Sequence, residues 1–253
     1  MKLAYREFGT GQPLIILHGL FGQSDNWNTM AKNFSEHGFN VFTIDQRNHG
    51  LSPHSNIWNY EVMADDLKEF IDDHHLEDPI IIGHSMGGKA TMFFEWKYQK
   101  IASKIVIVDI SPRAYEPHNA DVLKALYSVD FSVIKTRKDA EAKLSEYIAD
   151  FGTKQFLLKN IYWKENEKMD WRFNLQVISD NINNINVRVP QFKSETACLV
   201  VRGEKSNYIS EKDIEDFKSR FINCKIETVA EADHWVHAEK PKEFFDVVLE
   251  FIK

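Results

Sequence analysis

Apolar runs of strand length alternate with segments of helical period along most of the chain, and this alternation restricts it to an α/β fold with a mostly parallel central sheet. The runs are LIILH (14–18), VFTID (41–45), PIIIG (79–83), KIVIVD (104–109), CLVV (198–201) and KIETVA (225–230). Their near-continuous Ile and Val content suits strands covered by helices on both faces. Between them Met63, Leu67, Phe70 and Ile71 recur at i, i+4, i+7 and i+8, the stripe of a helix lying on a sheet. The terminal PKEFFDVVLEFI, opening on a proline, reads as another helix.

The alternation stops between residues 112 and 194. That stretch has helical patterns such as DAEAKLSEYIADF and a hairpin-like IYWKENEKMDWRF, but no further clean buried strand. It is expected to be an inserted, mainly helical lid (112–194) between two parts of one core, 1–111 and 195–253. A chain of 253 residues with 43% hydrophobic content is long enough to bury that core. A net charge of −7 and an isoelectric point near 5.8 argue against a nucleic-acid partner. MKLAYREFGTGQP lacks the apolar run of a signal peptide, and no later run is long enough for a membrane span, so a cytoplasmic protein is expected. Cys198 and Cys224 lie in apolar runs and are read as small buried thiols without chemistry.

The strand-like PIII leads into GHSMGGKA (83–90) and then into a helical segment. Gly83-His84-Ser85-Met86-Gly87 fits a G-x-S-x-G nucleophile elbow, where glycines let neighbouring backbone pass a strained serine. A serine hydroxyl needs a base. His234, in the loop between the last strand-like run and the last helix, is the candidate, with His237 as its competitor. The oxyanion of an acyl transfer needs two aimed N–H donors. Met86 N–H follows the nucleophile directly, and the HGLFG loop (18–22) offers Leu20 N–H, with Phe21 second. His18, Arg47 and His49 are read as side chains that pin loops.

Together HGLFG, DQRNHGLS, GHSMGG and ADHWVHAEKP closely resemble the α/β-hydrolase superfamily. HGLFG, VIVDISP and the FLLKN…WRFNL pair further resemble the small YbfF-type esterases and related mitochondrial abhydrolase-domain acyl hydrolases. The resemblance implies hydrolysis of a small-molecule ester or thioester, acyl-CoA thioesters included, through an acyl-enzyme. No His and carboxylate cluster has ligand spacing, so no metal or cofactor is expected. The resemblance also raises a conflict. The superfamily's usual acid follows the strand before the last, and in LVVRGEKSNYIS (199–210) that position holds Ser206. Asp109, which ends the run after the elbow, is the alternative: its strand should lie between those of Ser85 and Ser206, and the resembled subfamily keeps its acid there. Glu204 is second, and Asp233 is too close in sequence to His234 to face its ring easily. Ser85 excludes the superfamily's aspartate-dependent epoxide and halide chemistry. Carbon–carbon hydrolases or lyases with the same triad, and members that have lost catalysis and bind ligands, are the competing readings; an intact Asp109 counts against the second. Phe21, Phe156, Trp163 and Trp235 are the candidate substrate-pocket residues. Trp171 and Phe173 are further aromatics of the lid.

Overall fold

Each of the six apolar runs forms a strand of one central sheet. The computed structural model describes residues 1–116, 119–164 and 168–253. In chain order the sheet comprises β1 (Tyr5–Phe8), β2 (Gln12–Leu17), β3 (Phe39–Ile44), β4 (Ile80–His84) and β5 (Lys104–Val108), then β8 (Ala197–Gly203) and β9 (Cys224–Val229). The spatial order is β1-β3-β2-β4-β5-β8-β9, parallel except for β1, which pairs antiparallel with β3. β1 is the strand that hydropathy did not reveal. It lies at the sheet edge and is largely exposed, so it needs no apolar face.

Period-two alternation divides the inward residues between two helical layers. Leu14, Ile16, Ile80, Ile82, Val106 and Val108 pack with Met30 and Phe34 of α1 (Asn28–Ser35) and Phe244 and Val248 of α10 (Pro241–Ile252). Ile15, Leu17, Ile81, Ile105 and Ile107 face the other way. They join Met63, Leu67, Phe70 and Ile71 of α2 (Tyr60–Asp73), Phe93 of α3 (Met86–Lys97) and Phe217 of α8 (Glu211–Arg220). Each such aliphatic side chain contributes about 1.5–3 kcal/mol on full burial, and truncating one to Ala costs about 2–5 kcal/mol.

The segment between β5 and β8 holds α4 (Ala120–Ser128), α5 (Arg137–Leu144), α6 (Phe151–Leu158), the strand pair β6 (Ile161–Trp163) and β7 (Met169–Trp171), and α7 (Leu175–Asp180). The helical pattern of DAEAKLSEYIADF is divided between two helices: α5 stops at Leu144, and the Asp150 carboxylate caps α6 by accepting from Thr153 N–H at 2.6 Å. β6 and β7 pair antiparallel, as the hairpin reading requires, although its residues 165–167 lie outside the described ones. The segment packs on the α2/α3 side of the sheet, where Ala125, Leu126, Leu144, Leu157, Trp171 and Ile178 continue the same apolar cluster. Lys89 ties its two ends to α3. Its buried ammonium donates to the Arg113 carbonyl at 2.7 Å and the Val187 carbonyl at 2.6 Å. Burial, with Arg113 and Arg188 nearby, pushes its pKa down to about 7. Among the described residues no helix is long and apolar enough to cross a membrane.

Candidate active site

Ser85 lies between β4 and α3 with φ +52° and ψ −118°, a left-handed backbone that a non-glycine residue adopts only under constraint. The constraint is visible in its neighbours. Ser85 N–H donates to the Val108 carbonyl at 2.9 Å, and Lys89 N–H donates back to the Ser85 carbonyl at 3.0 Å. A side chain at Gly83 would stand 2.3 Å from the Gly87 carbonyl, and one at Gly87 would stand 2.4 Å from the Leu17 carbonyl. Both glycines of the motif are therefore required by close backbone approach. Ser85 itself is half-buried and lines a cavity of about 130 Å³ at the carboxyl ends of the parallel strands.

His234 lines the same cavity from the loop after β9. Its Nδ1–H donates to Asp109 Oδ2 at 2.8 Å. Asp109 follows β5 directly, with φ +47°, and is fully buried. It accepts two further bonds: Gly203 N–H reaches Oδ1 at 3.1 Å, and the Ser206 hydroxyl donates to Oδ2. β5 lies between β4 and β8, as the reading of Asp109 requires. Ser206, at the position where a carboxylate was expected, is thus a hydrogen-bond donor to the carboxylate on the next strand. Glu204 is exposed and accepts from Glu231 N–H at 2.9 Å, and Asp233 accepts from His234 N–H, while the His234 ring bonds Asp109.

The imidazole is held on other sides as well. Tyr208 stacks on it with centroids 3.9 Å apart and planes at 16°, and His84 Nε2–H donates to the His234 carbonyl at 2.9 Å. Burial holds the His84 pKa well below its ordinary value. His237, the competing base, is buried and stacked on Trp27 at 3.9 Å, where desolvation lowers its pKa to about 3. His18 and His49 are likewise buried, with pKa values pushed to about 4 and 3. His18 Nε2 accepts from Gln46 N–H, and His49 Nε2 accepts from Phe21 N–H at 3.2 Å. Arg47 forks onto Asp66 at 2.5 and 2.8 Å. All three are loop-pinning contacts, and the bond to His49 takes the Phe21 amide away from the cavity. Leu20 and Met86 both border the cavity; a side chain at Gly19 would come within 3.2 Å of the Ser85 Cβ, so the HGLFG loop runs directly against Ser85.

Of the four candidate pocket aromatics, Phe21, Phe156 and Trp235 line the cavity, and Phe156 packs on Trp235 at 4.3 Å. Trp163 does not. Ile161, two residues earlier on the same strand, is buried, whereas Trp163 is 58% exposed. Trp171 and Phe173 stack on each other and form packing between the inserted segment and Phe21. Tyr60, Tyr115, Asn186 and Tyr208 also line the cavity, and sequence reading did not find them. Only Tyr208, two residues after Ser206, lay within a stretch that attracted attention. Asn186 belongs to a polar NINNIN run with no periodic signal.

Residues 12–241 match the alpha/beta hydrolase fold family. The esterase YbfF of Escherichia coli is 36% identical over 245 residues, covering 95% of this chain and 91% of that protein. The sn-1-specific diacylglycerol lipase ABHD11 of Danio rerio is 34% identical, covering 100% of this chain and 83% of that protein. A solved marine microorganism esterase is 42% identical with a TM-score of 0.96, covering 99% of both chains. A serine elbow on the fourth strand of a mainly parallel sheet, and a match that runs through both halves of that sheet, have one common explanation: the chain belongs to the α/β-hydrolase fold family.

Proposed function

We propose that the protein is a serine carboxylic-ester hydrolase in which Ser85, His234 and Asp109 form the triad, Leu20 and Met86 N–H form the oxyanion hole, and residues 112–194 form a lid over the site. The observation that carries this reading is the bond from His234 Nδ1–H to the buried Asp109 carboxylate, beside the cavity that Ser85 lines. An acid–histidine pair of this kind fixes the tautomer in which Nε2 accepts a proton.

In the proposed reaction Ser85 Oγ attacks the substrate carbonyl carbon while His234 Nε2 takes the hydroxyl proton, and the carbonyl oxygen becomes an oxyanion held by Leu20 and Met86 N–H. Collapse of the tetrahedral intermediate breaks the bond to the alcohol or thiol, which leaves with the proton from Nε2. Water then attacks the acyl-enzyme, again giving its proton to His234, and the acid is released as Ser85 regains its own. The cavity of about 130 Å³ that Ser85 lines would receive the acyl group, and a second cavity of about 680 Å³ shares His234, Phe156 and Trp235 with it. Phe21, Phe156 and Trp235 supply the apolar wall of the first.

The test is Ser85→Ala, assayed on short-chain p-nitrophenyl esters and acyl-CoA thioesters and with a fluorophosphonate label. Activity should fall by about 10⁵–10⁶ and labelling should vanish, with little change in thermal stability. Activity above about one per cent of the parent would refute the assignment.

A further inference from the structure

Cys198 and Cys224, which the sequence presents as two separate thiols without chemistry, are brought together by the sheet. They are register partners on the parallel strands β8 and β9, and Cys198 N–H donates to the Asn223 carbonyl at 2.9 Å. Cys198 belongs to the apolar cluster on the α2, α3 and α8 side of the sheet, and Cys224 packs against the same cluster, so the two side chains share one face. Both are free thiols, and the Cys198 S–H donates to the Cys224 sulfur.

The two sulfurs are not equivalent. Cys198 is fully buried, and burial pushes its pKa well above the ordinary thiol value. Cys224 is half-buried at the start of β9, and the bond from Cys198, with Lys218 nearby, holds its pKa below that value against the opposing effect of burial. Oxidation of a cysteine follows thiolate character and access, and Cys224 has more of both. The spacing also suits a bond between them. Neighbouring strands lie about 4.8 Å apart, inside the roughly 4.4–6.8 Å that separates the Cα atoms of a disulfide. The Cβ atoms must draw in to about 3.5–4.5 Å, and the pair sits where the ladder can give. It is the first rung of β8 and β9, and the bridge before it, Ser194 to Phe221, is out of register with it by one residue.

We propose that Cys198 and Cys224 form a dithiol site for hydrogen peroxide, in which Cys224 is the sulfur oxidised first and Cys198 resolves it as a disulfide between β8 and β9. The Cys224 thiolate attacks one peroxide oxygen and the O–O bond breaks. The other oxygen leaves as hydroxide and becomes water with the proton that the thiol had released, so Cys224 is now a sulfenic acid. The Cys198 sulfur then attacks the Cys224 sulfur, the S–O bond breaks, and the departing hydroxide takes the Cys198 proton as a second water. Two thiols are oxidised, one peroxide is reduced, and no further reactant is needed. The rung lies at the amino ends of its strands, whereas Ser85 and His234 meet at the carboxyl ends, so the inference does not rest on the hydrolase reading.

The experiment treats the folded parent protein with hydrogen peroxide, unfolds it in the presence of a maleimide, digests it and weighs the cysteine peptides. The peptides of Cys198 and Cys224 should be recovered as one crosslinked species from within a single chain, lighter by two hydrogens than their sum, and both maleimide adducts should be lost together. In Cys198→Ser the resolving thiol is gone, and Cys224 should gain oxygen instead of forming a crosslink. In Cys224→Ser the buried Cys198 should stay a free thiol, with its maleimide labelling changed by less than about twofold. The inference is overturned if both thiols of the parent stay free, if Cys224 gains oxygen while Cys198 remains free, or if the crosslink joins two chains. These results on the parent protein decide the matter even if neither variant folds. It is equally overturned if Cys198 is oxidised as fully in Cys224→Ser as in the parent.

Discussion

The carboxyl ends of β5 and β8 lie side by side, and they have divided a task that the superfamily resemblance assigns to one of them. β5 ends in a buried carboxylate, Asp109, bonded to the His234 ring. β8 runs through Gly203 to an exposed Glu204 and a half-buried Ser206, and both Gly203 N–H and the Ser206 hydroxyl point their hydrogens at Asp109. Neighbouring parallel strands open onto the same loop, so an imidazole between them can be approached from either. What one strand end lacks in charge it supplies as hydrogen-bond donors to the charge on the other.

Four changes would break or sharpen this contrast. The largest effect is expected from Asp109→Asn, which should lower kcat by about 10⁴ because an amide neither stabilises the imidazolium nor enforces the tautomer. Placing a carboxylate on the other strand in that background, with Ser206→Asp, should recover part of the loss in the same assay. Ser206→Ala should cost about tenfold in kcat, the worth of one charge-assisted hydrogen bond when Gly203 N–H remains. Glu204→Gln should change kcat by less than about twofold, since its partner is the solvent-exposed Glu231 amide and not the His234 ring. A Glu204 effect exceeding that of Asp109 would reverse the roles of the two strand ends.

The smallest expected effect on catalysis at neutral pH comes from the buried histidines, whose influence is on the fold. His18, His49 and His237 have folded-state pKa values of about 4, 3 and 3, below the value near 6.5 of the unfolded chain. The unfolded state therefore binds more protons below pH 6.5. Stability should be insensitive to these groups above that pH and should decline as pH falls from about 6.5 towards 4 and 3, which urea titrations across that range would show. A stability that rises on acidification over the same window would contradict their neutral burial.

The two strand ends also show what a sequence can and cannot disclose. Asp109 could be singled out because the resembled subfamily keeps its acid at this strand end and because β5 was expected between the strands of Ser85 and Ser206, where the sheet has it. Ser85 and His234 were readable because their local patterns, glycine spacing and loop position, are dictated by backbone sterics and sheet polarity. The partnership of Ser206 with Asp109 joins residues 97 apart in the chain, and nothing in LVVRGEKSNYIS announces it. In the inserted segment the limits are sharper. Its aromatic residues share one composition, yet Phe156 faces the cavity, Trp171 and Phe173 pack inside, and Trp163 projects outward. Those fates depend on which long-range neighbours each ring meets, which periodicity does not record. β1 was missed for a related reason: an exposed edge strand carries no apolar alternation.

The most direct test of Asp109 as the acid is to observe the His234 ring proton whose hydrogen bond it accepts, independently of turnover. A histidine ring N–H bonded to a buried carboxylate gives a strongly deshielded proton resonance, so the spectrum of the parent protein should contain one for His234 Nδ1–H. That resonance should persist in Glu204→Gln and disappear in Asp109→Asn. Its survival in Asp109→Asn, or its loss in Glu204→Gln, would place the acid on β8 and contradict the account.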